Sequence, residues 1–123
     1  MKKLAVCAAF VLLSSTAYPN DHSANEMLPY CKALANGNTE AMANLLKKDI
    51  NKTSDLFGVC YGVVETLVIV LDVNHLVCFP KGVTYSQASK IMIRYMEEHP
   101  QFLHVPYAAV GMEALKETWP CKH

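Results

Sequence analysis

Four cysteines, Cys31, Cys60, Cys78 and Cys121, stand 29, 18 and 43 residues apart, and that spacing limits what the chain can become. Zinc sites usually grip the metal through at least one close pair, and no close pair occurs here. An even number of cysteines in a small exported domain reads instead as a disulfide framework, with three possible connectivities. The fifth cysteine, Cys7, falls in a segment that does not belong to the fold. Lys2 and Lys3 form a positive start, Leu4 to Leu13 an apolar run, and Ser15-Thr16-Ala17 a stretch of small residues suited to cleavage. This is the grammar of a secretory signal peptide over residues 1–17. A lipoprotein reading of Cys7 is the weaker one, because only three residues separate it from Lys3 and it follows Val6 rather than a small residue.

The remaining residues, 18–123, suffice for one domain. They carry nine Lys/Arg against eleven Asp/Glu, a net charge of −2 with His neutral. That balance gives no electrostatic case for nucleic acid or an anionic membrane surface. The apolar run from Val59 to Val77 is broken by Glu65, Asp72, Asn74 and His75, so no membrane association is expected after signal cleavage.

Helical periodicity dominates the mature chain. Residues 18–24 read as a loose arm, and Ser23 or Asn25 can cap a first helix whose Met27, Leu28, Cys31 and Leu34 share a face before Gly37 stops it. A second pattern runs from Thr39 to Lys48, with Ala41, Met42, Leu45, Leu46 and Ile50 as its stripe. Asn51–Asp55 reads as a loop. Leu56–Leu71 is rich in β-branched residues, but its length exceeds an ordinary strand and Asp55 suits an N-cap, so a buried central helix is expected. Gly58 and Gly62 would form a strip for close backbone approach. Thr84 and Gln87 fit a capping box opening a helix through Ala88, Ile91, Met92, Tyr95, Met96 and His99, which Pro100 ends. Pro106 suits the first position of a last helix with Tyr107, Val110, Gly111, Ala114, Leu115 and Thr118 on one face. The fold class is therefore all-α: a small, disulfide-stapled bundle of four to five helices.

No catalytic constellation is visible, and the chain is not expected to be an enzyme. Disulfides would consume every mature thiol, Ser86 and Ser89 lack an elbow motif, and no Gly-rich phosphate loop occurs. Glu97-Glu98 and the pair Glu113 and Glu117 read as solvated charges on helix faces. His99 and His104 straddle a helix break, where capping or packing outweighs metal ligation. Met92, Met96 and Met112 sit at helical spacing and read as core filling rather than copper ligands. Neither a metal nor a cofactor is called for.

Taken together, Cys78-Phe-Pro-Lys-Gly-Val-Thr-Tyr-Ser-Gln87, Tyr95-Met-Glu-Glu-His-Pro100, Leu103-His104 and Ala114-Leu115 running to Trp119-Pro120-Cys121 resemble the Rap/Tai-type immunity proteins. Upstream, Cys31, Cys60 and Gly62 fit the same pattern, while Val63 replaces the usual Tyr and Thr66 stands where a second Gly is common. The resemblance implies a periplasmic α-helical protein, often a homodimer, that binds and inhibits a peptidoglycan amidase effector delivered by type VI secretion. A periplasmic acid-stress chaperone, or another small envelope interaction protein, is the alternative. Antiparallel packing of the first helix on the start of the third would pair Cys31 with Cys60, and return of the last helix to the motif loop would pair Cys78 with Cys121. Partner-binding residues are expected in the loops 36–38, 51–55 and 72–81. Within the last of these, Asp72, Asn74, His75 and Lys81 are the candidates, because Cys78 and Pro80 would hold that loop rigid.

Overall fold

The computed structural model describes residues 22–122. The expected signal peptide lies outside them. Five α-helices follow in order: α1 (Ala24–Ala35), α2 (Thr39–Lys48), α3 (Ile50–Val73), α4 (Tyr85–Glu98) and α5 (Tyr107–Thr118), with a single 3₁₀ turn at Pro100–Phe102. Among the described residues there is no strand.

Local chemistry sets most of these boundaries. The Ser23 side chain accepts from the Glu26 backbone N–H at the start of α1, and Asn36 and Gly37 close it, Gly37 at φ +60°. Asn38 caps α2 in the same way. At α4 both halves of the capping box form: Gln87 N–H donates to Thr84 Oγ1 at 3.2 Å, and Thr84 N–H donates to Gln87 Oε1 at 3.1 Å. The other end stops at Glu98, before Pro100. Pro106 is the N-cap of α5, one residue before the first helical position, a shift within the ordinary uncertainty of helix ends.

Three expectations are corrected. Asn51–Asp55 is not a loop but the opening of α3, which begins at Ile50 under an Asp49 cap that accepts from Lys52 N–H at 3.0 Å. Because Asp49 caps α3 while ending α2, the helices join without a linker. His22 to Ala24 are not loose either. Ala24 N–H donates to Val105 O at 2.8 Å, and Tyr107 N–H donates to His22 O at 2.9 Å, docking the entry to α1 beside the entry to α5. Finally, α3 is not covered on all sides. Its buried residues are Thr53, Leu56, Cys60, Val64 and Leu71, all toward one side, while Gly58 and Gly62 face open space rather than another backbone.

The core lies where α1, α3, α4 and α5 meet. Met27, Leu71, Met92, Met96, Tyr107 and Leu115 are sealed within it, and their burial from water is the main stabilising contribution. Helix α2 contributes no buried residue; Thr53 ties it to α3 by donating its hydroxyl to Leu45 O at 2.9 Å. Ion pairs from Lys32 to Glu97 and from Lys52 to Glu26 join α1 to α4 and α3 to α1.

Both disulfides form, Cys31 with Cys60 and Cys78 with Cys121. The first is buried between α1 and α3, whereas Cys78 is exposed in the loop before α4.

Candidate functional site

Asn74, His75 and Lys81 lie in the segment between α3 and α4, whereas Asp72, expected in that loop, belongs to the last turn of α3; all four are exposed. The segment's rigidity begins at the end of α3. Asn74 is the C-cap: its backbone N–H and its Nδ2 both donate to Val70 O, at 3.1 and 2.7 Å. His75 then takes a left-handed φ of 54°, and Leu76 N–H donates to Leu71 O at 2.9 Å. A reversal of this kind satisfies helix carbonyls that would otherwise lack donors. Val77, next in the chain, is 1% exposed and pins the loop to the core.

Beyond Val77 the loop is fastened to the end of the chain. Cys78 N–H donates to Trp119 O at 3.0 Å, the Phe79 and Trp119 rings lie 5.4 Å apart, and the Cys78–Cys121 disulfide closes the staple. Cys121 Sγ also lies 3.6 Å from His75 O; a disulfide sulfur donates no proton, so this is packing. Pro80 accepts from Val83 N–H at 3.2 Å, and Gly82 turns the chain at φ +87°. Asp72, His75 and Lys81 are therefore displayed on a preformed support, which lowers the ordering cost of docking. Asn74 differs from its neighbours because its side chain is engaged in capping. The loop 36–38 is a tight turn between α1 and α2, with Asn38 likewise used as a cap.

A cleft of about 410 Å³ opens between the end of α1, the middle of α3 and the start of α4. Leu34 and Val64 supply its apolar wall, Tyr61 and Tyr85 meet edge to face at 6.5 Å, and Ser86 and Ser89 offer hydroxyls. Sequence reasoning did not find it. One signal was present, an aromatic at position 61 facing outward from an apolar helix, where Tyr61 is 58% exposed. An exposed Tyr beside a concavity is a frequent anchor for protein partners.

The groups weighed for chemistry are placed elsewhere. Glu97 pairs with Lys32, Glu98 with Arg94 at 3.8 Å, and Glu113 with Lys116 at 3.2 Å. His99 is the C-cap of α4, stacks on Tyr95 at 4.0 Å between ring centroids, and shares a hydrogen bond of 2.8 Å between its Nδ1 and Tyr95 O. Met92 and Met96 are fully buried core. The Lys52 ammonium, and after it the His22 backbone N–H, hold the Glu26 carboxyl below its usual range. Burial, and after it the Glu117 carboxylate, raise the Tyr95 phenol. Among the described residues no group of three His, Cys, Asp or Glu could hold a metal ion.

Neither the curated proteins nor the solved structures provide a significant match to the chain. The family model of the Rap1a immunity proteins matches residues 20–121, which include every helix and both staples. That match spans most of the sequence, and the chain belongs to the Rap1a immunity protein family.

Proposed function

We propose that this protein is exported to the periplasm, where as a homodimer it neutralises a peptidoglycan amidase toxin delivered by type VI secretion. The family match over residues 20–121 carries this reading. An immunity protein acts by occupying its toxin, and the fold suits that role through a stapled helical scaffold, an exposed and braced loop, and a cleft at Tyr61 and Tyr85. Disulfides persist in oxidising compartments, which agrees with export through the signal-like residues 1–17. Docking, not catalysis, is the activity. Asp72 at the end of α3, His75 and Lys81 on the loop that follows, and Tyr61 and Tyr85 at the cleft are the residues offered to the toxin.

The test pairs purified mature protein with the amidase encoded beside it and follows muropeptide release. Stoichiometric inhibition is expected. Replacing the loop side chains by Asp72→Ala, His75→Asn and Lys81→Ala should weaken inhibition at least tenfold with an unchanged melting temperature. Asn is chosen at 75 because it tolerates left-handed backbone, and Asn74 is kept for its cap. Full inhibition by the triple variant would move the interface off this loop. Failure to bind any amidase, together with client binding at acid pH, would replace the immunity reading with the chaperone.

A further inference from the structure

The cleft between α1, α3 and α4 has a chemistry that sets it apart from the rest of the surface. Among the described residues that line it none is charged, and five carry hydroxyls: Tyr61, Thr84, Tyr85, Ser86 and Ser89. Three other concavities differ. One is bounded by Arg94, Glu98 and Glu117, one includes Glu113, and the groove along α3 offers a single hydroxyl, that of Thr66.

Helical spacing produces this lining. On α4, Ser89 lies three positions after Ser86 and four after Tyr85, so one turn presents a ring and two hydroxyls to the same side. On α3, Tyr61 and Val64 share a face for the same reason. Among the described residues no hydrogen bond engages the Ser86 or Ser89 hydroxyl, whereas Thr118 on α5 donates its own to Ala114 O at 2.7 Å. Tyr61 meets Tyr85 edge to face and is still 58% exposed, which leaves ring surface available to a ligand. The walls are fixed before anything binds. Cys60 lines the cleft and its disulfide to Cys31 locks α3 to α1, while the Thr84–Gln87 box fixes the start of α4. A volume of about 410 Å³ falls within the roughly 300–1,000 Å³ of small-molecule sites, which are largely preformed and mostly apolar with a few placed polar groups.

We infer that this cleft binds a neutral pyranose unit of an oligosaccharide. A pyranose has faces of C–H and a rim of hydroxyls. Its weakly positive C–H face suits the negative face of a tyrosine ring, and its rim needs partners that both donate and accept, as the serine and tyrosine hydroxyls do. An anionic ligand would find no cation among the lining side chains. A purely apolar one would strip water from those hydroxyls without pairing them.

The inference goes beyond the immunity reading, and its test needs no toxin. Isotopically labelled mature protein, with both disulfides intact, is titrated with two neutral trisaccharides, cellotriose and triacetylchitotriose, and with trigalacturonate as the anionic counterpart. Saturable shifts of the Tyr61, Ser86 and Ser89 amide signals are expected with at least one neutral sugar, and the better of the two shows whether acetamido groups contribute. Tyr61→Ala should weaken binding by about fivefold or more, the scale of a lost aromatic contact. Ser89→Leu brings a better helix former and a bulky side chain into the cleft, and should abolish binding while the melting temperature is kept. The absence of saturable shifts with both neutral sugars would overturn the sugar site, as would trigalacturonate binding equally tightly or binding that survives Ser89→Leu. Shifts produced by an uncharged apolar peptide and by neither sugar would overturn it as well and assign the cleft to a protein segment. The immunity reading is scored by the inhibition assay alone, so it survives or fails separately.

Discussion

Tyr107 is the largest of the fully buried side chains, and its hydroxyl has no hydrogen-bond partner. A buried unpaired hydroxyl costs about 1–3 kcal/mol, so Tyr107→Phe should leave stability unchanged or raise it by about 1 kcal/mol in urea unfolding. Burial also pushes the phenol far above its ordinary value of 10.0. Above about pH 10 the unfolded chain releases this proton and the folded chain holds it, so stability falls as pH rises. Wild type should lose stability in that range more steeply than Tyr107→Phe. Equal alkaline slopes would show that Tyr107 is hydrated. Gly111 makes the opposite demand on space. A Cβ there would lie 2.2 Å from Met92 Cε and 3.2 Å from Leu67 Cδ1, in a core where Met92 is fully buried. Overpacking typically costs about 1–3 kcal/mol, and Gly111→Ala should destabilise by about 1–2 kcal/mol despite the better helix propensity of Ala.

At the scale of elements, α3 separates two accounts of where a helix begins. The Asp49 side chain accepts from Lys52 N–H, whereas Asp55 lies within the second turn. Asp49→Ala should therefore cost about 1 kcal/mol, the usual value of an N-cap, and Asp55→Ala close to nothing. Chemical denaturation of the two variants checks this directly, and the reverse order would restore a loop over residues 51–55. Gly58 sits in the same helix with open space above it. Replacing it by Ala should stabilise the protomer by up to about 1 kcal/mol through propensity alone.

For the molecule as a whole, the two staples do different work. Cys31–Cys60 closes 29 residues inside the core, and Cys78–Cys121 closes 43 at the surface. Loops of these lengths contribute about 3.5–4 kcal/mol each in the chain-entropy picture, so similar losses are expected when either is removed. Accessibility differs far more, since Cys31 is 0% and Cys60 2% exposed while Cys78 is open to solvent. Mild reduction of the folded protein should release the thiols of Cys78 and Cys121 first, as read by alkylation and peptide mapping. Release of Cys31 and Cys60 should await unfolding. Because the outer staple holds the 72–81 loop, its reduction should weaken toxin binding before the helices melt.

Four helices and the staples were legible because their determinants are local or topological. Ser23, the Thr84–Gln87 box, Pro100 and Gly37 each act within a few residues, and the apolar periods select one face per helix. Antiparallel order of α1 and the start of α3 then brings Cys31 to Cys60. The beginning of α3 was misread because Asn51-Lys-Thr-Ser-Asp55 has loop composition, while the cap that overrides it lies at Asp49, at the very end of the expected second helix. Composition likewise made Leu56–Leu71 look central. Burial is decided by what other helices cover, and α1, α4 and α5 cover only the side of Leu56, Cys60, Val64 and Leu71. The docking of His22 to Ala24 against residues 103–107 and the cleft at Tyr61 and Tyr85 were likewise beyond reach. Helices, most of their caps and the cysteines available for stapling follow from local sequence; which side of α3 stays exposed, where the cleft opens and how the loop is braced follow from tertiary packing, because each depends on which distant segments cover or meet it.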